Sequence, residues 1–199
     1  MHAPEIELKF VVADIHRFRA SVASLGLALV TPRTFEANTL YDTPERDLRS
    51  RRQVLRLRDY AGRSIVTHKR VASTETDARY KVRIETESLI EDPAALAEIF
   101  AQLGYKPVFR YEKFRTEWDG GEGHIFLDET PIGIYAELEG PPAWIESMRE
   151  QLGVTPEQCT TESYGMMFLD WKARNHSPAE NLTFDEITEN RDQRTVVGV

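Results

Sequence analysis

Glu5, Glu7 and Lys9 alternate with Ile6, Leu8 and Phe10 near the start of the chain. In an extended strand, alternate residues point to opposite faces. One face then carries two carboxylates and an ammonium, and the other carries three apolar side chains. Carboxylates paired in this way suit a hard divalent cation, and a lysine beside them suits a phosphate. The pattern recurs along the chain. Arg56 and Arg58 alternate with Leu55 and Leu57, and Thr67 and Lys69 follow. Lys81, Arg83, Glu85 and Glu87 alternate with Val82 and Ile84. Lys113, Arg115 and Glu117, then Asp128, then Glu137 and Glu139 around Leu138 complete the series.

Each strand alone reads as the solvated face of an antiparallel sheet. Arg56 and Arg58 could be cross-strand ion-pair partners. Glu137 and Glu139 could be charges that protect a sheet edge. Together they carry more, because cations and carboxylates keep one parity strand after strand. A sheet rolled into a barrel turns one face of every strand inward. A charged lumen is costly to bury unless it holds a charged guest and water. A polyphosphate with Mg²⁺ or Mn²⁺ meets that demand. Arginine forks take phosphate oxygens in pairs, lysines add point charges, and carboxylates hold the cation.

The elements that must position these residues follow from pattern and punctuation. Strands are predicted at Glu5 to Val12, Thr34 to Asp42, Arg79 to Glu87, Val108 to Trp118, His124 to Asp128 and Ile134 to Glu139. Val54 to Tyr60 and Ser64 to Arg70 form a predicted hairpin around Ala61-Gly62-Arg63. Asp14 can cap a helix to about Leu25, and Asp92-Pro93 opens another that stops at Gly104. Further helices are predicted at Ala143 to Leu152 and about Thr161 to Arg174. Val71 to Asp77 reads as a mobile loop. The fold class is α+β, dominated by an antiparallel β-barrel with helices packed outside. The expected division is one domain over residues 1–174 and a polar, surface-lying or partly disordered tail over 175–199.

Composition narrows the function classes. The 199 residues carry a net charge of −8, which argues against general nucleic-acid binding. No apolar run approaches a membrane span, and no secretory signal pattern opens the chain. The lone Cys159 excludes an internal disulfide and fits a reducing, cytoplasmic setting. His68 lies on the parity opposite Lys69 and is expected outside the lumen. Met166, Met167, Trp118, Trp144 and Trp171 read as packing residues.

Glu5-Ile6-Glu7-Leu8-Lys9 matches the E-x-E-x-K signature of the CYTH proteins, the triphosphate tunnel metalloenzymes. The resemblance continues through Tyr41-Asp42-Thr43, Leu55 to Arg58, Thr67-His68-Lys69, Arg83-Ile84-Glu85, Glu112 to Arg115, Asp128, Glu137 to Gly140 and Ser163-Tyr164. It implies an eight-stranded tunnel that binds a triphosphate and Mg²⁺ or Mn²⁺. Lys9, Arg56, Arg58, Lys69, Arg83, Lys113 and Arg115 would meet phosphates. Glu5, Glu7, Asp128, Glu137 and Glu139 would form the metal site. Glu5, Glu7, Lys9, Lys69 and Glu85 would serve the reaction, and Lys172 is a loose match to a basic residue at a tunnel mouth. The family includes inorganic and thiamine triphosphatases and class IV adenylyl cyclases. The implied activity is a metal-dependent triphosphatase, with ATP cyclisation to cyclic AMP and pyrophosphate as the alternative, and a non-catalytic polyphosphate binder as a third reading. The expected partner is a small-molecule triphosphate, not nucleic acid or membrane, with the chain a monomer or homodimer. Arg56→Ala is expected to weaken substrate binding while relieving like-charge crowding in the empty fold.

Overall fold

The structure, a computed structural model, describes residues 4–72 and 79–188. The elements run β1 (Pro4–Val11), α1 (Ile15–Ser24), β2 (Ala28–Asp42), α2 (Asp47–Ser50), β3 (Val54–Tyr60), β4 (Arg63–Val71), β5 (Lys81–Ile90) and α3 (Pro93–Gln102). They continue with β6 (Lys106–Asp119), β7 (His124–Thr130), β8 (Gly133–Glu139), α4 (Pro142–Gln151), β9 (Cys159–Thr160) and α5 (Tyr164–Asn175). Every strand pairing is antiparallel, in the order β5-β4-β3-β2-β6-β7-β8-β1. The β1–β5 pairing closes these eight strands into the expected barrel, and the short β9 adds to β1 outside the ring.

Closure sorts the two strand faces. The apolar side chains of β1, β7 and β8 face out: Leu8, Phe10, Ile125, Leu127, Ala136 and Leu138 are all buried. Phe18 and Val22 of α1 and Trp144 and Ile145 of α4 cover them, so this core lies between barrel wall and helices. Burying each large apolar side chain there contributes roughly 1.5–3 kcal/mol. The charged parity is left to line the lumen.

Local chemistry explains the boundaries. The Asp14 carboxylate accepts from the His16 and Arg17 amides at 2.9 and 3.0 Å, capping α1 as predicted. Ala61 and Gly62 both have positive φ, 51° and 72°, as a two-residue hairpin turn requires. Gly123 is needed for close approach: a Cβ there would lie 2.5 Å from the Glu139 carbonyl oxygen and 2.6 Å from Trp144. That contact seats α4 behind the end of β8 that carries Glu139.

Three differences from the sequence reading stand out. β2 begins at Ala28, six residues before the predicted start, and irregularities between Leu29 and Thr34 accommodate Pro32. α5 begins at Tyr164, because the Ser163 side chain accepts from the Met166 amide and caps the helix there. The predicted loop at Val71 to Asp77 lies mostly outside the described residues. Beyond Asn175 the chain is closely packed as far as it is described. Ala179, Leu182 and Ile187 are buried against Tyr135, Tyr164 and Phe168. Leu182 exchanges backbone hydrogen bonds with Arg110 and Glu112, along the stretch of β6 that extends past β7. No helix among the described residues is long and apolar enough to cross a membrane.

Candidate functional site

Strand register brings the charged positions together. Glu7 stands directly opposite Glu139 across β1 and β8, and opposite Lys81 across β1 and β5. Glu5 lies two residues from Glu7 on the same face and opposite Arg83. Lys69 pairs in register with Glu85, and Thr67 with Glu87.

Three groups result. At the acidic group, Lys81 Nζ donates to Glu7 Oε1 at 2.6 Å, and Lys69 Nζ donates to Glu5 Oε2 at 3.1 Å while also contacting Glu85. Burial pushes the Glu139 carboxyl up to about 8, aided by the negative charges of Glu5 and Glu7. Burial pulls the Lys69 ammonium down to about 8, with Arg56 adding to it.

The second group surrounds Asp128, which is fully buried. Arg115 donates from Nε to Oδ1 at 2.7 Å and from Nη2 to Oδ2 at 2.6 Å. Lys113 Nζ donates to Oδ2 at 2.9 Å, and the Tyr164 hydroxyl donates to Oδ2 at 2.7 Å. Arg115 also donates to Glu137, and Lys9 Nζ lies 3.0 Å from Glu137 Oε1. Burial works against ionisation of Glu137, but Lys9, Arg115 and Lys113 outweigh it and hold that carboxyl well below the usual range. Lys9 Nζ also donates to the Glu162 carbonyl at 3.0 Å and sits 4.4 Å from the centre of the Tyr164 ring.

The third group is the basic wall of β3. Arg56 donates to the Tyr111 hydroxyl and to Thr67 Oγ1, both at 3.1 Å, and to Glu87 at 3.4 Å. Arg58 reaches the same Glu87 oxygen at 3.2 Å. The like-charge crowding expected at Arg56 falls instead on Arg58. Burial and the neighbouring Arg56 push the Arg58 guanidinium down. Burial also opposes the charge on Arg56, but Tyr111 and Glu36 outweigh it. Arg58→Ala should therefore leave the empty protein as stable as before, or more so. Arg56→Ala should cost about 1–3 kcal/mol through unpaired buried partners. Urea unfolding of the two variants measures this; equal losses would refute the distinction.

Arg83 occupies lumen parity on β5, with Nη1 donating to the Val82 carbonyl at 3.0 Å. The charge of Lys172 acts on Glu186. His68 meets Gln53 at 3.4 Å, on the side away from the lumen. Met167, Trp118, Trp144 and Trp171 pack as expected, whereas Met166 is exposed.

The sequence reading missed the contribution of β2. Glu36 is 1% exposed and lies opposite Lys113, with its Oε1 3.5 Å from Lys113 Nζ. Burial disfavours its charge, yet Lys113, Arg115, Arg58 and Arg56 pull its carboxyl down to about 2. Asn38 follows on the same face. The available signal was parity, since Thr34, Glu36 and Asn38 alternate with Phe35 and Ala37. Tyr164 stands out in the sequence only within the Ser163-Tyr164 pair, and nothing in the sequence singles out Tyr111.

The proposed metal ligands thus divide. Glu5, Glu7 and Glu139 share one end of the face, while Asp128 is engaged by two cations and a phenol. Among the described residues, no three Asp, Glu, His or Cys side chains converge as a ready-made ligand set. Lys69 and Lys81 occupy the Glu5 and Glu7 carboxylates, so a cation there must displace ammonium groups.

Comparison with known proteins agrees with this architecture. The CYTH domain family model matches residues 3–142, and the chain belongs to that family. The match spans every strand-borne residue described above and ends before Tyr164. A Methanocaldococcus jannaschii protein named "putative adenylate cyclase" is 29% identical over 136 residues, which are 68% of this chain and 75% of that one. Among solved structures, a "putative adenylate cyclase" from Vibrio parahaemolyticus superposes with a TM-score of 0.74 at 21% identity, covering 85% of this chain and 99% of that one. A Hippeastrum protein, described as a "putative adenylyl cyclase" with a dominant triphosphatase activity, has a TM-score of 0.60 at 17% identity, over 86% of this chain and 96% of that one. At these identities the structural likenesses speak to the fold.

Proposed function

We propose that this CYTH-domain chain is a divalent-cation-dependent phosphohydrolase that cleaves a triphosphate bound in its tunnel. The observation that carries the reading is the gathering of Lys9, Arg56, Arg58, Lys69, Lys113 and Arg115 on one enclosed face beside the carboxylates Glu5, Glu7 and Glu139. A chain of phosphates needs cationic groups along its length, and a barrel supplies them from all sides.

Glu5, Glu7 and Glu139 would hold a hard cation such as Mg²⁺ or Mn²⁺ once it displaces the Lys69 and Lys81 ammonium groups from them. Three oxygen donors share a face, and Glu139 is held up at about 8 by burial and its acidic neighbours. When bound, the cation supplies Lewis-acid polarisation of a phosphoryl oxygen. Arg56 and Arg58 grip one stretch of the triphosphate, while Lys9, Lys113 and Arg115 neutralise the next. Asp128 fixes Lys113 and Arg115 so that their charge is in place before substrate arrives. Lys69 steadies Glu85, which accepts a proton as a water oxygen attacks the terminal phosphorus. The bridging P–O bond breaks and orthophosphate leaves.

The name of the Methanocaldococcus relative favours a second reading: attack by a ribose hydroxyl on the α-phosphorus of ATP, with pyrophosphate leaving. Product analysis separates the readings. Protein stripped with EDTA and resupplied with Mg²⁺ or Mn²⁺ should release orthophosphate from ATP, thiamine triphosphate or tripolyphosphate. Cyclic AMP with pyrophosphate would establish the cyclase. Binding of tripolyphosphate without any product would leave a binding module.

The Glu139 carboxyl gives this site a pH dependence. Its folded value, about 8, lies above the ordinary 4.5. The stability it contributes is therefore present below about pH 4.5 and lost as pH rises through about 8. Cation binding must expel that proton. Mn²⁺ affinity should rise by close to tenfold per pH unit up to about 8 and then level off. Calorimetry in buffers of different ionisation heat would show the released proton; a flat affinity would exclude Glu139 as a ligand.

A further inference from the structure

We infer that Glu36 and Asn38 form a donor-reading subsite in the tunnel wall, one that receives a hydroxyl or amine hydrogen from the organic part of a triphosphate ester. The inference rests on the tunnel reading above and names what distinguishes the substrate from bare polyphosphate.

Both residues are enclosed, Glu36 at 1% and Asn38 at 2% exposure. They lie on the lumen face of β2, with Lys113 and Tyr111 opposite on β6 and Tyr60 and Arg58 opposite on β3. Asn38 Nδ2 donates to Glu36 Oε1 at 2.9 Å. An ionised carboxylate can only accept, so this bond fixes the amide, with its nitrogen towards Glu36 and its oxygen away. Two acceptors are then left without a hydrogen-bond partner, Glu36 Oε2, whose nearest cation is Arg115 Nε at 4.0 Å, and Asn38 Oδ1. Three groups on the adjoining strand share that condition: Arg56 Nε, Arg58 Nε and the hydroxyl of Tyr60, which stands opposite Glu36. Buried polar atoms without partners are uncommon, and their clustering asks for a ligand that answers them.

The chemistry of that ligand follows from both halves. The arginine donors fit phosphate oxygens. The acceptors do not, because an anionic oxygen would meet the Glu36 carboxylate. A second divalent cation is disfavoured as well. Glu36 already has Lys113 at 3.5 Å and Arg115 at 4.0 Å, and the charges of Arg56 and Arg58 act on it too. A neutral O–H or N–H group held beside a phosphate satisfies the whole patch. Bare tripolyphosphate in its ionised form has no such hydrogen. A nucleoside triphosphate carries them on its sugar and on its base. A site built around buried acceptors strongly rejects an analogue that lacks the matching donor.

The test compares three probes by calorimetry in EDTA, which holds turnover off: ATP, 2′,3′-dideoxy-ATP and methyl triphosphate, an ester with no donor. ATP should bind the unmodified protein at least tenfold more tightly than methyl triphosphate. If dideoxy-ATP keeps that advantage, an amine is the donor; if it loses it, a hydroxyl is. Glu36→Gln and Asn38→Ala should each bring the ATP to methyl triphosphate ratio within about threefold of one. Glu36→Gln removes the counter-charge of four cations and risks the fold, whereas Asn38→Ala removes no charge and decides the matter. Equal binding of ATP and methyl triphosphate, or a ratio that survives Asn38→Ala, overturns the inference alone. Failure of all three probes and of tripolyphosphate to bind overturns the tunnel reading and this inference with it.

Discussion

Replacing Asp128 by alanine should destabilise the empty protein by about 3 kcal/mol or more, the low end of the range for breaking a buried ion pair. The side chain is fully buried and accepts four hydrogen bonds, from Arg115 twice, from Lys113 and from Tyr164. Its removal leaves two buried cations and a phenol short of a partner. The low end applies because the loss is partly covered: Arg115 keeps Glu137, and Lys113 keeps Glu36. At about 2–4 °C per kcal/mol for a chain of this size, the melting temperature should fall by roughly 6–12 °C. Tyr164→Phe removes one of the four bonds and should cost about 1.5–3 kcal/mol. Thermal and urea unfolding of both variants provide the measurement. A loss below 1 kcal/mol in Asp128→Ala would mean that the surrounding cations are not held by this carboxylate.

Asp128 has a different place in the fold than in the sequence. In the sequence it is one more carboxylate on the lumen parity and joins the proposed metal ligands by position. In the fold, its oxygens are taken up by the groups proposed to meet phosphate. We propose that it positions Lys113 and Arg115, with the cation left to Glu5, Glu7 and Glu139. The partners that suggest this role come from β6, two positions apart, and from the N-terminus of α5, 36 residues further on. Spacing along the chain does not show such a convergence.

What could be read without the structure was whatever repeats at short range. Period-two alternation in β1, β3, β5 and β8 is strong because charged residues alternate with Leu, Ile and Val. It located those strands and their inward faces, and the sum of them indicated a barrel. The alternation in β2 is weak. Glu36 and Asn38 are flanked by Ala37 and Thr39, which are too small or too polar to mark an outer face, and Leu40 takes the lumen parity. The strand was therefore recognised, but its contribution to the site was not. The segment past Asn175 hid for a different reason. Ala179, Leu182 and Ile187 follow no period, because what buries them is the uncovered edge of β6 and the face of α5. Asp14 and Ser163 show the contrast between local and distant causes. Each caps a helix through its own neighbours, and the Asp14 boundary was legible from sequence. At α5 the polar run Thr160 to Ser163 offered several caps, and only the fold selected the last.

Replacing Glu7 by alanine should lower cation-dependent turnover by on the order of a hundredfold or more, the scale seen when one group stabilising a transition state is removed. Glu7 is central to the acidic group. It faces Glu139 across β1 and β8, accepts from Lys81 at 2.6 Å and lies 3.7 Å from Lys9. Loss of activity alone would not distinguish a ligand from a structural anchor, since both lysines lose a partner. Mn²⁺ affinity above about pH 8, where Glu139 is ionised with or without Glu7, does distinguish them. Glu7 helps burial and Glu5 to hold the Glu139 proton in place. Without it, Glu139 should ionise at lower pH, and Mn²⁺ binding near pH 7 should release fewer protons as well as being weaker. A purely structural role for Glu7 predicts a lower melting temperature with that high-pH affinity unchanged. Arg56→Ala supplies the opposite pattern, a raised KM with the cation-linked proton release intact, because Arg56 lies on β3, across the lumen from the carboxylates. Wild-type turnover in both variants would remove the tunnel face from the mechanism. Loss of turnover in Glu7→Ala together with weaker Mn²⁺ binding above about pH 8 would tie Glu7 and Glu139 to one cation.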